Sequence, residues 1–240
     1  MYSYHGQCDL VMARSPSFGE GLGLDLHIRT EMINEGAWSF ISNAALRIGE
    51  DVLEIAAKDS SILVNGKSVD LSLPMAFAGQ YSIVRMEQDN DGSKRVIVVV
   101  KLDDDEKILF STFKNMLNVR IEAYLADTEG LLGVHDKPGM VGRDHDVVLT
   151  DPNEMGAQWQ VNDSDSILFS EVRGPQYPEM CILPSQAVTN RRRLQQHSKE
   201  HRQLTAKACA DVPAGMYDFC FEDVLVTGHY DLANEYGFAY

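Results

Sequence analysis

A mainly β fold, an antiparallel β-sandwich or barrel followed by a short helical, cysteine-containing appendage, is what this sequence predicts, and three observations predict it. Short strand patterns recur at close intervals between Leu24 and Leu125, turn dipeptides separate several of them, and beyond Pro184 the chain becomes polar and helix-compatible.

Leu24-Asp25-Leu26-His27-Ile28-Arg29-Thr30 alternates apolar and polar residues, which places Asp25, His27 and Arg29 on one face of a half-buried strand. Trp38 to Ile48 is a second extended stretch, and Gly49-Glu50-Asp51 turns it into Val52-Leu53-Glu54-Ile55. Ser61-Ile62-Leu63-Val64 meets Asn65-Gly66, the pair that best tolerates the two positive φ angles of a type I′ turn, before Lys67 to Leu73 returns. Gln88-Asp89-Asn90-Asp91-Gly92 reads as a hairpin tip ahead of Arg95 to Val100. It fails as an EF-hand loop because Glu87 and Val98 stand where aspartate and glutamate are needed. The acidic tip Asp103 to Glu106 separates that run from Ile108-Leu109-Phe110, and Leu117 to Leu125 alternates again with one apolar face.

After Phe169, Pro175, Pro178 and Pro184 mark an extended linker and a boundary near Pro184, giving a β domain over 1–184 and an extension over 185–240. Ala187 to Ala208 is helix-compatible. Tyr217 to Ala233 reads as short helices packed back against the sheet, with Gly228 interrupting them.

Charge excludes some function classes. With 36 acidic against 21 basic residues the formal charge is -15, which repels phosphate backbones and anionic membrane surfaces, so nucleic acid is not an expected partner. No apolar run approaches the roughly 20 residues that a membrane-spanning helix requires. Met1 to Gly6 lacks the basic head and apolar stretch of a signal peptide, so an export signal is expected to have been removed or to lie in a missing first exon. Cys8, Cys181, Cys209 and Cys220 include no C-x-x-C pair, which argues against a zinc knuckle or a thioredoxin-type centre. Four cysteines allow three pairings. Spacing suggests the short loop Cys209 to Cys220, which would leave Cys8 for Cys181.

Gly130-Leu131-Leu132-Gly133, then Asp136, Arg143-Asp144, Gly156-Ala157-Gln158-Trp159-Gln160-Val161 and Leu168-Phe169 follow one another in an order that resembles the second half of a von Willebrand factor type D domain. There, a G-L-x-G turn precedes an acidic loop and a strand bearing tryptophan. Cys8 stands where that family's opening cysteine would be, Asp25-Leu26-His27 resembles its D-P-H signature, and Val64-Asn65-Gly66 resembles its V-N-G hairpin. The resemblance spans Cys8 to Cys181 and implies a calcium ion held by Asp25, Asp136 and Asp144, with backbone carbonyls turned inward along Gly133, Gly139 and Gly142. It has departures. Leu132 replaces a cysteine, Leu26 replaces the proline, and Arg143 replaces an asparagine and offers a metal no side-chain oxygen.

The resemblance implies a secreted, calcium-stabilised module of adhesion or matrix assembly without catalytic activity. It would bind proteins of an extracellular matrix or assembly, self-associate, and be glycosylated at the sequon Asn162-Asp163-Ser164. Type D domains also occur in secreted oxidative enzymes and lipid carriers, and an enzymatic reading would need an enclosed cavity with a perturbed histidine, His27 or His135. His197-Ser198-Lys199-Glu200-His201 matches the inverted zinc-protease pattern, but lies in a polar, basic segment that reads as a solvated helix face. No G-x-S-x-G elbow or phosphate-cradling glycine loop is present. A third expectation is a subunit that docks through an apolar tail, Phe219 to Tyr240.

Overall fold

The computed structural model describes residues 4–33, 38–90, 93–184 and 197–237. The chain divides into two compact units, Met1–Glu35 with Ser39–Leu183, and Gly36–Trp38 with Pro184–Tyr240.

In the first unit one sheet runs in sequence order through β1 (Asp9–Ser15), β2 (Leu24–Ile33), β3 (Trp38–Ile48), β4 (Asp51–Ala56), β5 (Ile62–Val64) and β6 (Lys67–Ser68). A second sheet contains β7 (Met75–Phe77), β8 (Tyr81–Asn90), β9 (Ser93–Lys101), β10 (Lys107–Phe113) and β11 (Met116–Glu122), also each beside its sequence neighbour. The strands pair antiparallel among the described residues, as expected of strands joined by short hairpins. Alternation explains how the sheets close on each other. Leu26, Leu46 and Leu53 of the first sheet join Ile83, Val98 and Phe110 of the second in a single buried cluster.

The turn chemistry matches the sequence. Asn65 and Gly66 have φ of 51° and 72°, as a type I′ turn requires, and the Asn65 carboxamide oxygen accepts the amide of Val52. Gly49-Glu50 turns β3 into β4, with Ile48 opposite Asp51. Asp91-Gly92 lies outside the described residues, while the strands on either side of it pair as anticipated. The last predicted strand is shorter than its pattern, ending at Glu122 rather than Leu125.

From Ala123 onward the chain returns over the first sheet and occupies the free edge of β1, which would otherwise present unpaired backbone groups. Glu129 bridges Arg14, Gln160 bridges Leu10 and Ile182 bridges Gln7. Gly130 is the point of closest approach: its φ is +135°, and a Cβ there would stand 2.6 Å from the Met12 carbonyl oxygen. A short helix, Pro152–Gln158, is capped by the Asp151 carboxylate, which accepts the amide of Asn153. It delivers Trp159 to a fully buried position, where the indole N–H donates to the Val141 carbonyl. Val141 belongs to a small ribbon of β12 (Met140–Val141) and β13 (Val148–Leu149). Cys8 and Cys181 form a disulfide that fastens the end of this returning segment to the start of β1.

The second unit contains helices Lys199–Ala208 and Tyr217–Thr227, joined by the Cys209–Cys220 disulfide. The first helix is capped by the Ser198 hydroxyl, and the second stops at Gly228, whose φ of +71° suits a helix end. The predicted helical stretch from Ala187 falls partly on residues 185–196, outside the described ones. Val224, Leu225 and Leu232 are buried, so these apolar tail residues are not offered to a neighbour as the docking expectation required.

Candidate functional site

The site grows from β2. Leu24, Leu26 and Ile28 enter the common core, and Asp25, His27 and Arg29 take the other face, as the alternation predicts. That face is not half-exposed. Asp25, His27 and Arg29 are all buried, because the returning chain covers this side of the sheet.

Three buried ionisable groups on one strand need partners. A bulge in β1 helps supply them. The register slips between Val11 and Ala13, so Asp9 lies opposite Arg29, Val11 opposite His27 and Arg14 opposite Asp25. Without the extra residue, Asp9 and Arg14, five positions apart, would fall on opposite faces. Arg29 donates to both oxygens of Asp9 at 2.7 Å and to the Glu171 carbonyl at 3.0 Å, with its guanidinium 4.3 Å from the Phe169 ring centroid. Arg14 donates to Glu129 at 2.7 Å and to Asp165 at 2.9 Å, and Arg47 pairs with Asp25. Arg143 makes a two-pronged pair with Asp165 and also donates to the carbonyls of Gln158 and Gln160.

The electrostatics follow from these contacts. Burial opposes ionisation of Asp165, but hydrogen bonds from Arg143 and the Asn162 amide, with the charges of Arg143 and Arg14, hold it below the usual carboxylate range. At Asp25 burial prevails over Arg47 and Arg14 and pushes the carboxyl up. Burial, aided by Arg14, Arg47 and Arg143 and opposed by Asp165, pushes His27 down to about 4. The imidazole is therefore neutral at physiological pH. It is 1% exposed, and neither ring nitrogen has a hydrogen-bond partner.

His27 lines a cavity of about 200 Å³ between β2 and the returning chain. Asp9, Gln160, Asn162 and Asp165 give it polar walls, while Ile167, Leu168, Phe169, Pro175 and Tyr177 give it apolar ones. The carboxylates among these walls are largely committed: Asp9 to Arg29, Asp165 to Arg14 and Arg143. The Gln160 carboxamide donates to the Glu179 carbonyl. Both imidazole nitrogens are closed off from the cavity, so what it presents is apolar surface together with carboxylates and a carboxamide that are already engaged.

The calcium set is not assembled. Asp25 is buried beside Arg47, whereas Asp136 is exposed next to His135 and Asp144 is exposed, accepting the Asp146 amide in an Asx turn. Among the described residues, no group of three or more His, Cys, Asp or Glu side chains is placed to hold a metal ion. The physical reason is visible at Arg143 and Arg14, whose guanidinium groups bring positive charge to this face and hold Asp165. Calcium, with its need for six to eight oxygens, does not fit these three aspartates.

The zinc pattern also fails on geometry. His201 Nε2 meets the Leu225 carbonyl at 3.0 Å and must carry the proton there, and Nδ1 meets the Tyr230 hydroxyl at 2.6 Å, so both nitrogens are engaged. His135 is a third exposed and packs edge-on to Tyr124. Asn162 is partly exposed on a turn, where its side-chain oxygen accepts from the Ser164 amide and hydroxyl.

Asp9, Arg14, Asp165 and Phe169 were not singled out for this site by the sequence. Asp165 ends the run Asn162-Asp163-Ser164-Asp165, where the sequon dominates the reading. The one available signal was Arg143, which broke the metal pattern. The chain matches no known family description and no curated protein.

Proposed function

We propose that the protein is an exported β domain of the von Willebrand type D kind, closed by disulfides, that works by binding partner molecules at the His27 cavity. The carrying observation is the cavity of about 200 Å³ beside β2, which joins apolar side chains, among them Ile167, Leu168 and Phe169, to carboxylates already held by arginines, Asp9 and Asp165. Two disulfides among four cysteines support an oxidising compartment such as the extracellular space. In that compartment, a glycan on Asn162 would stand at the cavity wall.

The partners in this reading are extracellular matrix or assembly proteins, and calcium has no part in it. The test is a ligand-observed NMR screen of small fragments against the oxidised full chain and an Ile167→Trp variant. Ile167 is 80% exposed on the cavity wall, so the substitution tests access without disturbing the core. Hits that compete with one another and weaken in the variant are expected; hits unaffected by the variant, or none, would refute the reading.

A second reading, a domain of a secreted enzyme, is favoured by one observation: His27 is neutral and enclosed, the form that accepts a proton. Its pKa near 4 makes it a weak base at neutral pH, where catalysis works best with a pKa near the operating value. Binding is thus the better use of this group. Mass change in a cavity ligand, lost in His27→Gln, would favour the enzyme instead.

A further inference from the structure

We infer that a cleft in the first unit, separate from the His27 cavity, binds the ammonium group of a lysine side chain on a basic partner protein. Three loops build it around Tyr81, which is buried at the start of β8. The β1–β2 connection supplies Phe18, the β9–β10 hairpin supplies Asp103 and Glu106, and the chain leaving β11 supplies Tyr124. These loops are held in place: Asp127 accepts the Ser15 hydroxyl and the Ser17 amide, and the Glu106 carbonyl accepts the amides of Leu102 and Asp103. The cleft encloses about 340 Å³, well above the roughly 150 Å³ that holds one aromatic ring, so an alkyl chain with its ammonium head has room.

The walls favour a cation. Phe18 and Tyr81 pack with ring centroids 5.6 Å apart, and Tyr124 is 71% exposed, which leaves it open to a bound molecule. Faces of such rings are negative and attract a cation within about 6 Å. Asp9, Asp25, Glu129 and Asp165 each pair with an arginine, whereas among the described residues no basic side chain pairs with Asp103 or Glu106. The formal charge of -15 steers a basic protein toward these acids and an anion away. Hydrogen bonding then selects lysine over arginine. Glu106 Oε1 accepts the Tyr124 amide at 3.0 Å and Asp103 Oδ1 accepts the Asp104 amide at 2.8 Å, which leaves one ready oxygen on each carboxylate. That suits a compact ammonium, while the guanidinium fork binds best to both oxygens of one carboxylate.

The test titrates blocked tripeptides, acetyl-Gly-X-Gly-amide with lysine, arginine or norleucine at X, into the oxidised ¹⁵N-labelled full chain and follows the amides of Gly19, Asp104 and Tyr124 by NMR. The lysine peptide should bind about tenfold more tightly than the norleucine peptide and about threefold more tightly than the arginine peptide, and should weaken as salt rises from about 0.05 M to about 0.5 M. Asp103→Asn, at an exposed hairpin residue, should lower the preference for lysine over norleucine at least about threefold. Asp163→Asn, at an equally exposed acid that lines the His27 cavity, should leave that preference intact. Equal weakening by the two variants would show diffuse attraction to the net charge and overturn the inference. So would equal binding of lysine and norleucine, tighter binding of arginine, or no shift at those amides.

Discussion

Arg143 grips Asp165 with two parallel hydrogen bonds, Nη1 to Oδ1 and Nη2 to Oδ2, each 2.9 Å long. Asp165 also accepts from Arg14 and from the Asn162 amide, so this single carboxylate ties β1 to the returning chain. Removing it would leave two guanidinium groups, each less than a quarter exposed, facing one another. Asp165→Ala should therefore lower stability by about 3–5 kcal/mol in denaturant unfolding, whereas Asp163→Ala, at an exposed neighbour, should change it little.

Chelation gives the companion prediction. Because guanidinium groups hold Asp165 and Asp25, the melting temperature should be the same in excess calcium and in excess chelator. A rise of several degrees with calcium would mean that Asp136 or Asp144 moves to join Asp25.

Acid should weaken the domain in two stages. His27 has a folded pKa near 4, below its value of about 6.5 when unfolded, so the unfolded chain binds the extra proton first. Its contribution is full above pH 6.5 and is lost as pH falls through 4, an effect of about 3 kcal/mol. Asp165, held low, adds a second loss only below the ordinary carboxylate range. Stability measured against pH in His27→Phe should lack the first stage and keep the second.

The second unit should behave oppositely. Asp223 accepts from the Trp38 indole at 3.1 Å and from the Tyr236 hydroxyl, and burial, assisted by the neighbouring charge of Glu222, pushes it up to about 7. Folding there favours the protonated acid, so the contribution is full below the unfolded carboxylate pKa and is lost as pH rises through 7. Asp223→Asn should flatten hydrogen-exchange protection of helix Tyr217–Thr227 between pH 5 and pH 8, a range chosen as about one unit or more on either side of that value.

Gly130→Ala tests how the returning chain approaches β1. A φ of +135° and a carbonyl 2.6 Å from the new Cβ forbid a relaxed fit, so a loss of about 2 kcal/mol or more is expected in thermal unfolding. Gly174→Ala, with nothing within 4 Å, is the matched control.

Local features were legible in the sequence, and contacts across long separations were not. Asn65-Gly66 announces its turn because two positive φ angles are a property of the dipeptide itself. The alternation from Leu24 to Thr30 correctly divides the faces of β2, yet it implies a solvated polar face because nothing local shows that residues 159–171 return to cover it. His27 was legible as a residue to watch, but its isolation depends on Asp9 and Asp165, which lie far from it in sequence and reach arginines rather than the imidazole. The bulge at Met12 carries no sequence signature, and it decides which charges meet.

The most direct test of the account is the pH titration of the ¹⁵N-labelled His27 imidazole in the oxidised, ligand-free chain. A covered polar face with a neutral imidazole predicts a midpoint near 4, well separated from those of exposed histidines. A midpoint near 6.5 would show water reaching the ring freely, and would contradict the enclosed site on which the binding proposal stands.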